Sequence, residues 1–448
     1  MKQRPDWTDE QWYAEDLTSV AGVQRLRFFP QVIASGSGSI LTTPEGREVI
    51  DLSASWTATG LGHAHPHVVA AAERALRAAP GGSVLSGTHP DAVQLARALC
   101  ERVEVVAPVG ERRAYLGHAG TDANDVALRA ARHVTGRPGI VAFEGGYHGG
   151  LGGSQSVSGI HISGGVAADP DLTLVPYPDL YRPWQDSADT LLVDTLARVE
   201  AALANGTVAA VIVEPIQSDG GVLVPPDGFL TGLRETTQRH GALLIIDEVK
   251  VGLGRTGHFL AHHAEGVVPD LVTLGKALGN GLPISALVGP AAALDEPAAS
   301  ALMTTTGNPV SCAVALAVLE LLDDGALTES AVRLGDQAAA TLRDHASSDR
   351  PGAGWIGQVR GRGLSIGVEL VHPGGREPAD DIAAKTALAG WRAGVIAYPV
   401  RGNIIEVTPP LTITPEELGT GLEHMLVALD AAVLGEVSNA EIAAFTGW

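Results

Sequence analysis

Residues 243–257 read LLIIDEVKVGLGRTG, and residues 270–281 read DLVTLGKALGNG. Each segment carries a short apolar run, and a charged side chain follows at its end: Asp247 in the first, Lys276 just past the second. Runs this short, with β-branched residues and glycines beyond them, are expected to be strands buried on both faces. Outward from them the pattern repeats. RAYLGH, GIVAFEG, LTLVPY and AAVIVEP precede the pair and SALVGP follows it, with helical stretches such as DANDVALRAARHV and LLVDTLARVEAALA between. Continuous apolar strands alternating with amphipathic helices predict an α/β fold with a mainly parallel sheet covered on both faces. In such sheets ligands bind beyond the carboxyl ends of the strands. The suggestive polar residues fall at those ends: Gly120 and Thr121, Tyr147 and His148, Glu214, Asp219, Asp247, Lys250 and Lys276.

The composition narrows the function classes. A chain of 448 residues is too long for one small core, and its 45% hydrophobic content argues against disorder. The net charge of −21 speaks against nucleic acid or an anionic membrane as partner. Cys100 and Cys312 sit in apolar helical contexts, so neither a disulfide framework nor a CxxC site is expected. MKQRPDWTDEQW lacks the apolar core of a signal peptide, and no apolar run approaches about 18 residues. The expectation is a cytoplasmic protein. Of the 30 basic residues only four are lysine: Lys2, Lys250, Lys276 and Lys385. A lysine kept at a strand end in an arginine-dominated chain points to a task that a permanently protonated guanidinium cannot perform.

Around this centre the chain divides into three parts. Residues 1–65 form an N-terminal segment with a hairpin-like turn at Pro44, Glu45 and Gly46. Residues 66–324 form the large domain, with a helix starting near Pro66. Residues 325–448 form a smaller α/β domain, with helices near 328–347 and 379–393, an apolar segment QVRGRGLSIGVELV, strand-like GVIAYPV and NIIEVTPPL, and a helix start at Thr414-Pro415-Glu416-Glu417.

Taken singly, the chemical signals are open. Gly252-Leu253-Gly254-Arg255-Thr256-Gly257 matches GxGxxG, but it lies mid-chain and lacks the acid that a dinucleotide site places about 20 residues on. His63, His65 and His67 have no carboxylate or cysteine at ligand spacing, so no metal is expected. His118–Asp122 runs from a strand end into a helix beginning near Asp122, which suits either an ordinary capped helix or a phosphate site. Asp247 must be buried and compensated, by a structural arginine or by a cationic ligand. Together with an imine-forming lysine, an aspartate facing a pyridinium nitrogen is the protein half of pyridoxal-phosphate chemistry.

Six ordered motifs, HAGTDAND, GGYHGG, VEPIQSDGG, IIDEVKVGLGRTG, LGKALGNGLP and GNPVS, resemble those of the class III (fold type I) pyridoxal-phosphate aminotransferase family over nearly the whole chain. The resemblance implies a fold type I architecture: a large domain with a mixed, mainly parallel sheet, and a smaller α/β domain built from both chain ends. It implies Lys276 as the imine lysine, Asp247 as partner of the pyridinium, Tyr147 and Val249 on the two ring faces, and Gly120 and Thr121 at the phosphate. Glu214 joins that cofactor set. Thr304, four residues before Asn308, would reach the phosphate of a partner subunit, which implies a homodimer with active sites at the subunit interface. Ala119 stands where the family usually has serine, and Asp125 where it often has glutamate.

Two departures bear on the reaction. Lys250 replaces the glutamine that transaminases of the family commonly carry after Asp-Glu-Val. Glu406 replaces the arginine that pairs with a substrate carboxylate, three residues before Pro-Pro-Leu. A bidentate guanidinium suits an amino acid and a keto acid in turn, whereas a carboxylate repels both. These features, with LRFFP, SDGG and the ending VSNAEIAAFTGW, resemble the α-amino-ε-caprolactam racemase branch, whose substrates are α-amino lactams and amino acid amides. That resemblance implies Cα deprotonation and reprotonation by Lys276 and Asp219, assisted by Lys250, with Trp56 and Glu406 at the substrate pocket. The alternative is an aminotransferase acting on an amine or unusual amino acid with a keto-acid acceptor.

Overall fold

A computed structural model describes residues 6–184 and 188–445. Lys2 and the last three residues of VSNAEIAAFTGW lie outside the described residues. The chain forms two compact units. One comprises the two chain ends, through Thr57, with Leu61–His65, and from Val332 onward; the other comprises Ala58–Gly60 and Pro66–Ala331.

After the helix Asp9–Ser19, the first unit continues with strands β1 (Ser35–Ser37), β2 (Ile40–Thr42) and β3 (Glu48–Asp51). β2 and β3 pair antiparallel around the turn at Pro44–Gly46, closed by the Gly46 amide on Thr43 O at 3.0 Å. In the second unit seven strands follow: β4 (Arg112–Gly117), β5 (Gly139–Phe143), β6 (Leu172–Val175), β7 (Val208–Val213), β8 (Leu243–Asp247), β9 (Leu271–Leu274) and β10 (Ser285–Pro290). Back in the first unit come β11 (Ile356–Arg362), β12 (Ser365–Leu370), β13 (Val395–Ile396), β14 (Tyr398–Val400) and β15 (Ile404–Val407). β13 joins β3 in parallel, and β11-β12-β15-β14 form a second, antiparallel sheet. QVRGRGLSIGVELV is therefore two strands of a hairpin, not one segment.

The seven-stranded sheet runs in the order β4-β10-β9-β8-β7-β5-β6. β6, β5, β7, β8 and β9 pair in parallel, and β10 runs antiparallel to both its neighbours, β9 and β4. The fold is thus the mixed, mainly parallel sheet of fold type I. Alternation along the strands assigns its two faces. Val141, Phe143, Val211, Val213, Leu244 and Ile246 pack with Val199, Leu203, Phe229, Leu230 and Leu233 of the helices Leu191–Leu203 and Phe229–His240. Ile140, Ala142, Ala210, Ile212 and Ile245 point the other way, onto Ala123, Val126, Ala127 and Ala131 of the helix Gly120–Thr135. Each fully buried Val, Ile or Phe contributes about 1.5–3 kcal/mol, so both layers hold the sheet, and its inner strands β5, β7 and β9 are buried on both faces. The small alanines bring the helix Gly120–Thr135 close to the strands, and its first turn opens at the strands' carboxyl ends.

In the first unit, the helices Asp380–Ala393 and Pro415–Val433 pack with Phe28, Phe29, Leu41, Val49, Ile396 and Tyr398. The Thr414 capping box forms as its sequence predicts, with Thr414 Oγ1 accepting the Glu417 amide at 3.1 Å. No helix among the described residues is long and apolar enough to cross a membrane.

Candidate active site

The strand-end residues converge. A cavity of about 480 Å³ in the second unit is lined by Gly120, Thr121, Tyr147, His148, Glu214, Asp219, Asp247, Val249, Lys250 and Lys276, together with Asn124 and the backbone around Gly281–Ile284. Every one of the strand-end polar residues reaches this one space, because β4, β5, β7, β8 and β9 deliver their exits to the same edge.

Asp247, 3% exposed, ends β8. Its compensation comes from hydrogen-bond donors, not from an arginine: His148 Nδ1–H at 2.9 Å and Asn124 Nδ2 at 2.7 Å on Oδ2, and the Val249 amide at 3.0 Å on Oδ1. Asn124 is itself fixed, since its Nδ2 also donates to His148 O at 2.8 Å and its Oδ1 accepts from Thr273 Oγ1 at 2.8 Å. Donors on both oxygens satisfy the acceptor sites of this buried side chain. Nothing about Asn124 in a one-chain reading distinguished it from an ordinary polar residue on a helix; its role depends on a strand 123 residues away.

Lys276 follows β9 in the left-handed backbone region, at φ 44°. That conformation is strained for a residue with a Cβ and persists only where the surroundings impose it. Burial lowers the pKa of its amine, and neighbouring Lys250 lowers it further, against the pull of Asp219, Asp247 and Glu214. Its Nζ stands 5.9 Å from the centre of the Tyr147 ring. Burial raises the Tyr147 hydroxyl to about 12, with Asp219 and Asp247 adding to the shift.

Lys250 Nζ donates to Asp219 Oδ1 at 2.8 Å, and both side chains are buried. Burial alone would raise the Asp219 pKa, but Lys250 and Lys276 outweigh it and the carboxyl is held below its ordinary value. Glu214 has no ion pair of that kind among the described residues, and burial, opposed by His148, pushes it up to about 7.

The helix beginning the phosphate motif starts at Gly120, two residues before the expected Asp122, because Asp122 turns back to accept the His118 and Ala119 amides at 2.9 and 3.0 Å. The amides of Gly120 and Thr121 are then first-turn donors without an intrahelical acceptor. A Cβ on Gly120 would stand 2.6 Å from Val249 Cγ1, and one on Gly275 would stand 3.2 Å from the same atom. Only glycine leaves that approach open. A buried, hydrogen-bonded carboxylate, a buried amine and anion-seeking amides in one cavity match the pyridinium, aldehyde and phosphate of pyridoxal phosphate, so the residues present fit the cofactor.

The other candidates lie elsewhere. Residues 252–257 form turns and open no α-helix, so the GxGxxG match is not a dinucleotide site. His63 pairs with Asp51 at 2.8 Å and His67 with Glu320 at 2.9 Å, and no metal-holding group occurs among the described residues. Thr304 sits exposed in a turn and is absent from the cavity lining. Trp56 and Glu406 belong to the first unit. Trp56 stacks on Tyr398 at 4.8 Å, and Tyr398 lies directly opposite Glu406 across β14 and β15, so the two residues share neighbours there.

Comparison with known proteins identifies what the chain is similar to. The family model for "Aminotransferase class-III" matches residues 22–429. Leucine/methionine racemase of Thermococcus litoralis is 33% identical over 433 residues, covering 95% of this chain and 96% of the relative. Acetylornithine aminotransferase of Corynebacterium efficiens is 37% identical over 415 residues, covering 91% and 94%. The structure of ornithine aminotransferase from Toxoplasma gondii, described with pyridoxal phosphate at its active site, superposes with a TM-score of 0.82 at 31% identity, covering 96% of this chain and 95% of that one.

Proposed function

The chain belongs to the class-III aminotransferase family and is a pyridoxal 5′-phosphate-dependent enzyme, and from that premise we propose that it racemises α-amino acid amides or α-amino lactams, in the manner of α-amino-ε-caprolactam racemase. One observation carries the reading: the buried Lys250–Asp219 pair in the cavity that holds Lys276. Bound there, the cofactor supplies an electron sink that acidifies the substrate Cα–H. Inversion then needs a proton carrier for each face of Cα. Lys276, whose amine burial favours in the neutral form, takes and returns the proton on one face. Asp219 does so on the other. Lys250 keeps that carboxylate ionised until it is used. Asp247 would face the ring nitrogen, Gly120 and Thr121 would hold the phosphate, and Tyr147 and Val249 would cover the ring.

Glu406 in place of a carboxylate-pairing arginine supports a substrate whose carboxyl is masked, with Trp56 contributing apolar surface. The partner in this reading is a second copy of the chain, with Thr304 reaching the partner subunit's cofactor phosphate. Its support is the exposure of Thr304 beside Leu302, itself 61% exposed. Light scattering on the loaded protein tests it, and a monomer at micromolar concentration would refute it.

The second reading is an aminotransferase, favoured by the higher identity to the acetylornithine enzyme, 37% against 33% for the racemase. The deciding experiment gives one enantiomer of an α-amino amide or amino lactam to the loaded enzyme in deuterated water, with and without a keto acid. Racemisation and Cα deuteration without keto acid support the proposal. Product that forms only when keto acid is present establishes transamination instead.

A further inference from the structure

Residues 217–223 form a closed turn with Asp219 inside it. Gln217 and Leu223 exchange backbone hydrogen bonds of 3.1 and 2.8 Å, and Ser218 O accepts the Gly221 and Val222 amides, both at 2.9 Å. A turn closed this tightly moves as one body, so the place of Asp219 depends on what ties the turn to its surroundings. The ion pair with Lys250 acts on the carboxylate, not on the turn's backbone.

Two other side chains tie its backbone. Glu214, just past β7, accepts the Tyr147 amide at 2.9 Å on Oε1 and the Ser218 amide at 3.2 Å on Oε2. Gln217 Nε2 donates to Glu144 O at 2.8 Å. The two segments so joined touch closely, since a Cβ on Gly220 would stand 2.7 Å from Gly145 O. One buried carboxylate therefore binds the residue that covers the cofactor ring to the turn that carries the second proton carrier.

We propose that Glu214 is a positioning residue, whose two oxygens fix the Asp219 turn against the Tyr147 backbone and so set where the Asp219 carboxylate stands. It acts through Asp219 and Tyr147, and needs no contact of its own with the cofactor. The proposal rests on the racemase reading for its catalytic consequence, but its geometric part does not.

The test uses the holoenzyme and two variants, Glu214→Gln and Gln217→Ala. A glutamine keeps one acceptor but turns an N–H₂ donor toward the other amide, so one tie is lost. Amide hydrogen exchange in residues 144–150 and 216–223 is expected to rise on the order of tenfold in Glu214→Gln, with residues 243–249 unchanged. Gln217→Ala, which leaves the buried acid in place, is expected to loosen the same two segments. Racemisation kcat falls on the order of tenfold in Glu214→Gln with KM within about twofold. Cα deuterium uptake with retention continues from the enantiomer whose hydrogen faces Lys276 and falls for the other. Unchanged amide exchange in both segments overturns the proposal. So does an equal loss of Cα exchange from both enantiomers, which would mark a general structural defect. If the wild type racemises nothing, the functional reading fails, and the amide exchange still decides whether Glu214 holds the turn.

Discussion

Lys250 Nζ and Asp219 Oδ1 lie 2.8 Å apart, with side chains only 5% and 6% exposed. Neither charge is tolerable there alone, because each has lost its water. Together they are tolerated, and the pair places an ionised acid within the same cavity as the Lys276 amine.

That mutual dependence is measurable. Lys250→Met leaves Asp219 buried without its nearest cation. The variant is expected to lose about 3–5 kcal/mol of stability at pH 8, the range for breaking a buried pair from one side. The double variant Lys250→Met, Asp219→Leu should recover most of it, because two apolar side chains need no partner. Urea denaturation of the four proteins gives the coupling energy. A single variant costing under about 1 kcal/mol would mean that the pair behaves as a solvated one.

Asn124 gives a prediction about the cofactor. Its Nδ2 bridges Asp247 Oδ2 and His148 O while Thr273 Oγ1 holds its Oδ1, so the amide has one orientation. Asn124→Leu removes a charge-assisted donor from Asp247 and frees the carboxylate to turn. Cofactor affinity should fall about ten- to hundredfold, the cost of one hydrogen bond to a charged group. Visible absorbance remaining after stepwise dialysis reports it. Retention equal to wild type would show that His148 alone suffices.

Much of this site was legible before any coordinates. Short apolar runs with β-branched residues have one stable arrangement, a sheet covered on both faces, and that put Asp247, Lys276, Glu214 and Asp219 at one edge. The spacing of apolar residues could not say that Asp247 is compensated by Asn124 and His148, because those contacts join β8 to two segments about 100 residues earlier. Nor could it say that Asp122 folds back and starts its helix at Gly120. A strand's own pattern reports which way its side chains point. Which donors meet a carboxylate is decided by neighbours that sequence order does not reveal.

Glu214 links the site to pH. Burial raises its pKa to about 7, with His148 and the Tyr147 amide opposing and Asp247 and Asp219 adding. The folded protein therefore holds this proton more tightly than the unfolded chain, whose value is near 4.5. Between those values the native state binds more protons, so this group's contribution is fully present below about 4.5 and is lost as pH rises through about 7. The full change is on the order of 3 kcal/mol. Urea stabilities of wild type and Glu214→Gln at pH 5, 6, 7 and 8 test this. The difference between them should move against the wild type as pH rises and level off above pH 7. A difference independent of pH would place the Glu214 titration outside this window.

Gly120 and Val249 set a limit on the ring's space. The backbone at Gly120 needs no left-handed conformation, so alanine is acceptable to the chain, but its Cβ would stand 2.6 Å from Val249 Cγ1 and 2.9 Å from Cγ2. Val249 Cγ1 also stands 3.2 Å from where a Cβ on Gly275 would lie, so glycine at both positions leaves this side chain its room. Gly120→Ala therefore moves Val249 into the cavity or shifts the first helical turn away from the phosphate. Overpacking of this kind costs about 1–3 kcal/mol, and alanine's better helix propensity offsets up to about 1 kcal/mol. The apo variant should melt within about 2 kcal/mol of wild type, while cofactor affinity falls much further. Trimming Val249 in the double variant Gly120→Ala, Val249→Ala should return part of that affinity by reopening the space. Thermal melts of the apo proteins and titration of cofactor absorbance separate the two effects. Full cofactor affinity in Gly120→Ala would show that the close approach of these two residues does not shape the binding site.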